Sequence, residues 1–203
     1  MTATAQFSQP TEGVGLILID NGPRNFGSTE LGLRIIDALQ TAADAACRVV
    51  VIASDRPGYF IAHWSLQGII DTQRAGPPAL SHRPRQPRVF DLIESSPMVV
   101  IAANNGQAWG GGAELSWGCD LRIAAESATY GQPEVALGII PGAGGTTRLA
   151  RLIGPTKCME MILDGRPISA REALALGAQD GAKGRKQKHP LARAANQLNY
   201  SSR

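Results

Sequence analysis

Three short runs of branched apolar residues constrain this chain more than anything else in it: Val14-Gly-Leu-Ile-Leu-Ile19, Arg48-Val-Val-Val-Ile-Ala53 and Met98-Val-Val-Ile-Ala-Ala103. They are apolar at successive positions instead of alternating, the pattern of strands covered on both faces, and such strands belong mostly to parallel sheets. Between the first two, Ser28 is half of a cap signal, and Leu31, Ile35, Ile36 and Leu39 recur at helical spacing. An amphipathic helix up to about residue 46 is predicted there. Strand, helix and strand in that order imply a right-handed parallel crossover.

Further along, residues 89–94 suit a turn or two of helix, Gly110-Gly-Gly112 reads as a turn opening another, and Leu121-Arg-Ile-Ala-Ala125 reads as a strand. Residues 146–153 and 157–163 look helical, and Ser169-Ala-Arg-Glu172 is a capping box for a last helix ending near Gly177. With no repeat of solenoid length, the expectation is an α/β domain with a largely parallel sheet. The Pro- and Arg-rich stretch 76–88 is expected to be an exposed, mobile loop.

At 203 residues the chain has room for one sizeable domain, and no apolar run approaches the length that spans a bilayer. The first residues place no basic side chain before an apolar stretch, so a secretory signal is not expected and a cytoplasmic location is. Cys47, Cys119 and Cys158 are widely separated, which suggests reduced thiols, with neither a disulfide framework nor a metal site. Residues 183–203 carry six basic side chains and no acid, so of the formal +3 the first 182 residues contribute −3. Positive charge confined to a polar tail argues against a nucleic-acid or membrane contact.

Two acids stand out. Glu114 follows Gly110-Gly-Gly-Ala113 and Glu134 follows Gly131-Gln-Pro133, each after a rigid turn and each flanked by apolar residues. Burial would raise their pKa values toward the range useful for proton transfer at neutral pH; the alternative is that each caps a helix or pairs with an arginine. Consecutive glycines at a helix start let a ligand approach backbone N–H groups, which suits a developing oxyanion. The glycines at 142–145 lack dinucleotide-binding spacing, and neither a Walker phosphate loop nor a Gly-x-Ser-x-Gly elbow occurs. His63 is read as packing or loop structure.

The stretches Pro97-Met-Val-Val-Ile-Ala-Ala-Asn-Asn-Gly-Gln-Ala-Trp-Gly-Gly-Gly-Ala-Glu-Leu-Ser-Trp-Gly-Cys-Asp120 and Tyr130-Gly-Gln-Pro-Glu-Val-Ala-Leu-Gly-Ile-Ile-Pro-Gly-Ala-Gly-Gly-Thr146 strongly resemble the enoyl-CoA hydratase/isomerase (crotonase) family. The resemblance continues through Arg148-Leu-Ala-Arg-Leu-Ile-Gly154 and Ile168-Ser-Ala-Arg-Glu-Ala173, and more loosely over residues 14–62. It implies a crotonase-like α/β spiral of ββα units, an acyl-CoA thioester ligand, and a thioester enolate held by two backbone N–H groups, matched here by Trp64 and Gly111. It also implies hydration of a trans-2-enoyl-CoA to a 3-hydroxyacyl-CoA with Glu114 and Glu134 as the catalytic pair. Substrate contacts would involve Arg24, Phe26, Phe60, Ala62, Trp64, Gly110, Gly111, Pro133, Glu134 and Gly142. No cofactor is implied beyond the coenzyme A of the substrate, and a homo-oligomer, a trimer or dimer of trimers, is expected.

Where the family commonly reads Ala-Gly-Ala-Asp, this chain has Ala62-His-Trp-Ser65, which puts a large ring beside the expected acyl pocket. A core at 1–178 and an atypical basic tail at 179–203 are expected, the tail lacking a strand pattern and standing where the family's C-terminal helical region would be truncated or altered. Double-bond isomerisation and a truncated, non-catalytic acyl-CoA binder are the alternative functions.

Overall fold

The branched apolar runs become the spine of a twisted sheet. The computed structural model describes residues 2–74 and 89–183. In chain order the first half comprises β1 (Thr4–Thr11), β2 (Val14–Asp20), α1 (Thr29–Asp44), β3 (Val49–Ser54), β4 (Gly58–Ile61), α2 (Leu66–Arg74) and α3 (Val89–Glu94). Then follow β5 (Val99–Asn104), β6 (Gly106–Trp109), α4 (Gly111–Gly118), β7 (Leu121–Ala125) and β8 (Thr129–Gly131). A 3₁₀ turn (Pro133–Leu137) and a π turn (Gly145–Leu149) lead to α5 (Ala150–Ile153), α6 (Pro155–Asp164), β9 (Ile168–Ser169), α7 (Ala170–Leu176) and β10 (Gly181–Lys183). The expected loop at 76–88 and the tail beyond residue 183 lie outside the described residues.

Two sheets form. The larger runs β1-β2-β3-β5-β7-β10, antiparallel only between β1 and β2, and the smaller runs β4-β6-β8-β9, antiparallel only between β8 and β9. Each pass of the chain lays one strand in the large sheet and the next in the small one, as in β3 and β4, β5 and β6, and β7 and β8. Ile17, Ile19, Val50, Ile52, Val100 and Ala102 are buried in a core shared with Leu31, Ile35 and Leu39 of α1. The predicted parallel crossover is present: β2 pairs in parallel with β3, and β3 with β5. Ser28 does cap α1, its hydroxyl accepting from the Leu31 N–H at 3.1 Å.

The structure departs from the sequence expectation at the small sheet, none of whose strands was anticipated, and at β10. Gly181–Lys183 has no β-branched residue, yet it pairs in parallel with β7. Asp180 secures the approach: its N–H donates to the Arg122 carbonyl at 2.9 Å, and its carboxylate accepts from the Arg122 N–H at 2.9 Å and guanidinium at 2.7 Å. Pairing with a preformed edge supplies the backbone hydrogen bonds that a short Gly-Ala strand needs. Residues 146–153, expected as one α-helix, are a π turn followed by one turn of α-helix.

Candidate active site

The helix α4 is buried at every one of its eight residues, so its polar groups must be satisfied inside the protein. Its glycines permit this depth: a Cβ on Gly112 would stand 2.2 Å from the Ile61 carbonyl oxygen of β4, so nothing larger fits. Glu114, in the first turn, is 2% exposed, and its Oε1 accepts the N–H groups of Ala143 at 2.8 Å and Gly145 at 2.7 Å. It therefore neither caps its own helix through its side chain nor depends on an arginine for these bonds; a distant turn cradles it.

Glu134 sits in the 3₁₀ turn, half-buried and preceded by Gln132, whose side chain is fully buried. With the amide nitrogen turned to the carboxylate, Gln132 donates to both Glu134 oxygens, at 2.8 and 3.0 Å. The two acids share one neighbourhood. A Cβ built on Gly145 would meet the Gln132 amide at 2.6 Å and Glu114 Oε1 at 3.0 Å, and one on Gly110 would meet Glu134 Oε1 at 2.9 Å. Burial pushes the Glu134 carboxyl up to about 7, a backbone hydrogen bond opposing it and the Glu114 charge adding to it.

Gly110 joins this site to the small sheet. Its N–H donates to the Gly131 carbonyl at 2.8 Å, while its own carbonyl accepts from the Glu114 N–H at 2.9 Å. Next to it, the Trp64 segment is pinned to the end of the β2–α1 connection, with Gly27 N–H donating to the His63 carbonyl at 2.9 Å and Ser65 N–H to the Gly27 carbonyl at 2.8 Å. Trp64 and Gly111 touch: a Cβ on Gly111 would lie 3.1 Å from Trp64 Cβ and 2.9 Å from Cε3 of its indole. Among the described residues no acceptor is bonded to the Trp64 N–H or to the Gly111 N–H. The indole packs against Gly27, Gly32 and the Phe90 ring, the last at 5.3 Å between centroids.

The remaining sequence candidates divide. Arg24 is exposed, with its guanidinium over the rings of Phe26 at 5.5 Å and Tyr59 at 5.7 Å, and Phe26 also packs on the His63 ring. His63 places Nδ1 2.8 Å from the Trp64 carbonyl, consistent with loop structure. Phe60 and Ala62 are fully buried in the strand and the residue after it, offering carbonyls to Asn25 and Gln107. Pro133 opens the 3₁₀ turn, and Gly142 is exposed just before the Ala143–Gly145 cradle. Sequence reasoning did not assign Gln132 or the cradle; the one available sign was a glutamine locked between Gly131 and Pro133.

Two neighbouring carboxyl groups, that of Glu134 with its pKa raised to about 7, beside two unengaged backbone donors make a site suited to moving protons next to a carbonyl whose oxygen gains charge. Comparison with known proteins gives the family and the fold. The enoyl-CoA hydratase/isomerase family model matches residues 9–199. A probable enoyl-CoA hydratase of Bacillus subtilis is 40% identical over 172 residues, covering 81% of this chain and 63% of the relative. A crotonyl-CoA hydratase of Syntrophomonas wolfei is 53% identical over 90 residues, covering 44% of this chain and 35% of the relative. The crystal structure of an enoyl-CoA hydratase from Bacillus anthracis superposes with a TM-score of 0.77 at 36% identity, covering 98% of this chain and 75% of that one. The chain belongs to the enoyl-CoA hydratase/isomerase family, and its fold is the crotonase fold. It spans under two thirds of the length of these curated relatives, 63% and 35%.

Proposed function

We propose that this chain adds water across the double bond of a trans-2-enoyl-CoA to give a 3-hydroxyacyl-CoA. The observation that carries this reading is the pairing of Glu114 and Glu134 in one neighbourhood, next to the Trp64 and Gly111 N–H groups. Glu114 accepts a proton from water as the water oxygen bonds to Cβ. The double-bond electrons move toward Cα and the thioester oxygen, whose charge the two N–H groups hold. Glu134 then gives its proton to Cα. Each N–H aimed at the oxyanion contributes roughly 10²–10³ in rate. The scheme needs no metal or redox cofactor, since the carboxylates and donors handle every proton and electron pair. Arg24, exposed and stacked on two rings, suits the phosphates of the coenzyme A portion.

The family includes isomerases, and Glu134 near neutrality would equally shuttle a proton between carbons of the same enolate. Product mass separates the readings: hydration adds one water and isomerisation adds nothing. The test follows the ultraviolet absorbance of a short enoyl-CoA and the mass of the product. Glu114→Gln and Glu134→Gln are expected to lose about 10²–10⁴ of turnover while retaining acyl-CoA binding. An unchanged rate in either variant overturns the assignment.

We also propose that the chain works as a homo-oligomer. Met159, 59% exposed, and Leu163, 66% exposed, lie four residues apart on α6, and Val135 stands beside Gly165 at the end of that helix, an apolar surface suited to a second copy. A monomeric mass by light scattering would refute this.

A further inference from the structure

We infer that Arg148 is a positioning residue for Glu114: together with Glu94 it clamps the turn at 143–145, whose two N–H groups hold the Glu114 carboxylate. The catalytic consequence rests on the hydratase reading above; the clamp itself is independent of it.

Arg148 is a cation only 9% exposed, and a buried guanidinium persists only where its donors are met. Its Nε and Nη2 donate to Glu94 Oε2 at 3.1 and 2.7 Å, and Nη1 donates to the Ala143 carbonyl at 2.5 Å. Asp91 Oδ1 adds charge at 3.7 Å, and Arg151 reaches the other Glu94 oxygen at 3.3 Å. The Ala143 residue is thus bonded on both sides: its carbonyl takes Arg148 and its N–H serves Glu114 at 2.8 Å. Gly145 N–H supplies the second bond to the same oxygen at 2.7 Å.

The local backbone is shaped around this arrangement. Residues 145–149 form a π turn, a wide geometry frequent at functional positions, and the Arg148 N–H bonds back to the Gly144 carbonyl at 2.7 Å. Gly144 has φ +107°, and a Cβ there would stand 2.0 Å from Arg148 Nη1, so the guanidinium passes over a position that only glycine leaves open. Glu94 lies on α3, 54 positions away, and half of its side chain is exposed, 49%. With Arg148 buried and Glu94 half-exposed, the Coulomb gain of the pair is offset by desolvation of the guanidinium, so the pair by itself is weak evidence of stabilisation. Its effect here is geometric, because a turn that shifts by about 1 Å misplaces the carboxylate above the reacting water, a change that can cost ~10²-fold in rate.

The test combines Arg148→Lys, which keeps the charge but not the planar fork, with Glu94→Gln, a change at a half-exposed side chain that leaves the core intact. Both are expected to lower kcat about 10–100-fold with KM changed less than about threefold, and the double variant to lose no more than Arg148→Lys alone. Glu94→Asp, which retains a carboxylate, should recover part of the loss. Amide exchange by NMR supplies the readout independent of turnover. In both variants the Ala143 and Gly145 amides should exchange at least tenfold faster while those of β5 stay protected. Unchanged exchange at these two amides overturns the inference, as does a loss of kcat that parallels a general loss of protection and thermal midpoint. If the wild-type protein binds acyl-CoA without hydrating it while the variants still show the selective exchange effect, the hydratase reading is refuted and the clamp stands.

Discussion

The pH dependence of kcat/KM tests the pairing of the two glutamates directly. Burial, augmented by the charge of Glu114, raises Glu134 from an ordinary 4.5 to about 7. At neutral pH a carboxyl of 4.5 would be protonated in about 0.3% of molecules, whereas one at 7 is protonated in about half, so the environment enriches the acid form roughly 150-fold. In the proposed hydration the competent state carries one proton on the pair, with Glu114 accepting from water and Glu134 giving its proton to Cα. Above about 7 that proton leaves the uncomplexed enzyme, and kcat/KM should fall about tenfold per pH unit. Hydration neither consumes nor releases a proton, so its equilibrium constant is independent of pH. The profiles measured from the enoyl-CoA and from the 3-hydroxyacyl-CoA must therefore have the same shape, separated by the constant factor of the equilibrium constant. The assay is the initial rate of absorbance loss or gain at sub-saturating substrate between pH 5 and 9, for wild type and Glu134→Gln. A flat wild-type profile between about pH 6 and 9, or an alkaline limb that survives in the variant, refutes the reasoning.

Three further outcomes follow from the same geometry. Because Glu134 binds its proton more tightly in the folded protein, its contribution to stability falls as pH rises from 4.5 through about 7. Glu134→Gln should accordingly melt higher than wild type at pH 8, with the gap closing toward pH 4.5; calorimetry across that range checks the sign. Gly112→Ala sets a methyl 2.2 Å from the Ile61 carbonyl oxygen and is expected to cost 1–3 kcal/mol or more, read as a lower denaturation midpoint and a displaced Glu114. Ser169→Ala removes the hydroxyl that accepts the Glu172 N–H at 3.2 Å, breaking a capping box at a loss of about 1 kcal/mol, or roughly 2–4 °C for a domain of this size, with turnover unchanged.

What the sequence determined is what local chemistry carries. The strands β2, β3 and β5 declare themselves because each is a continuous branched apolar run, although only β3 is buried nearly throughout while β2 alternates buried and half-buried residues, and α1 declares itself because its apolar residues repeat every three to four positions. Glu114 and Glu134 were visible because glycine and proline turns place an acid among apolar neighbours, and the capping box at Ser169 because both partners lie within four residues. The small sheet was not legible: β4, β6, β8 and β9 have two to four residues each, too few for a period, and they hold only by pairing with one another. Nor was the cradle around Glu114, whose donors come from 29 and 31 positions downstream, or the Glu94–Arg148 pair that braces it across 54. The identity of the acids was local, whereas their distances, burial and proton affinity were decided by segments that meet only after the spiral closes. Desolvation and hydrogen-bond geometry depend on which distant groups arrive, and no local pattern records that.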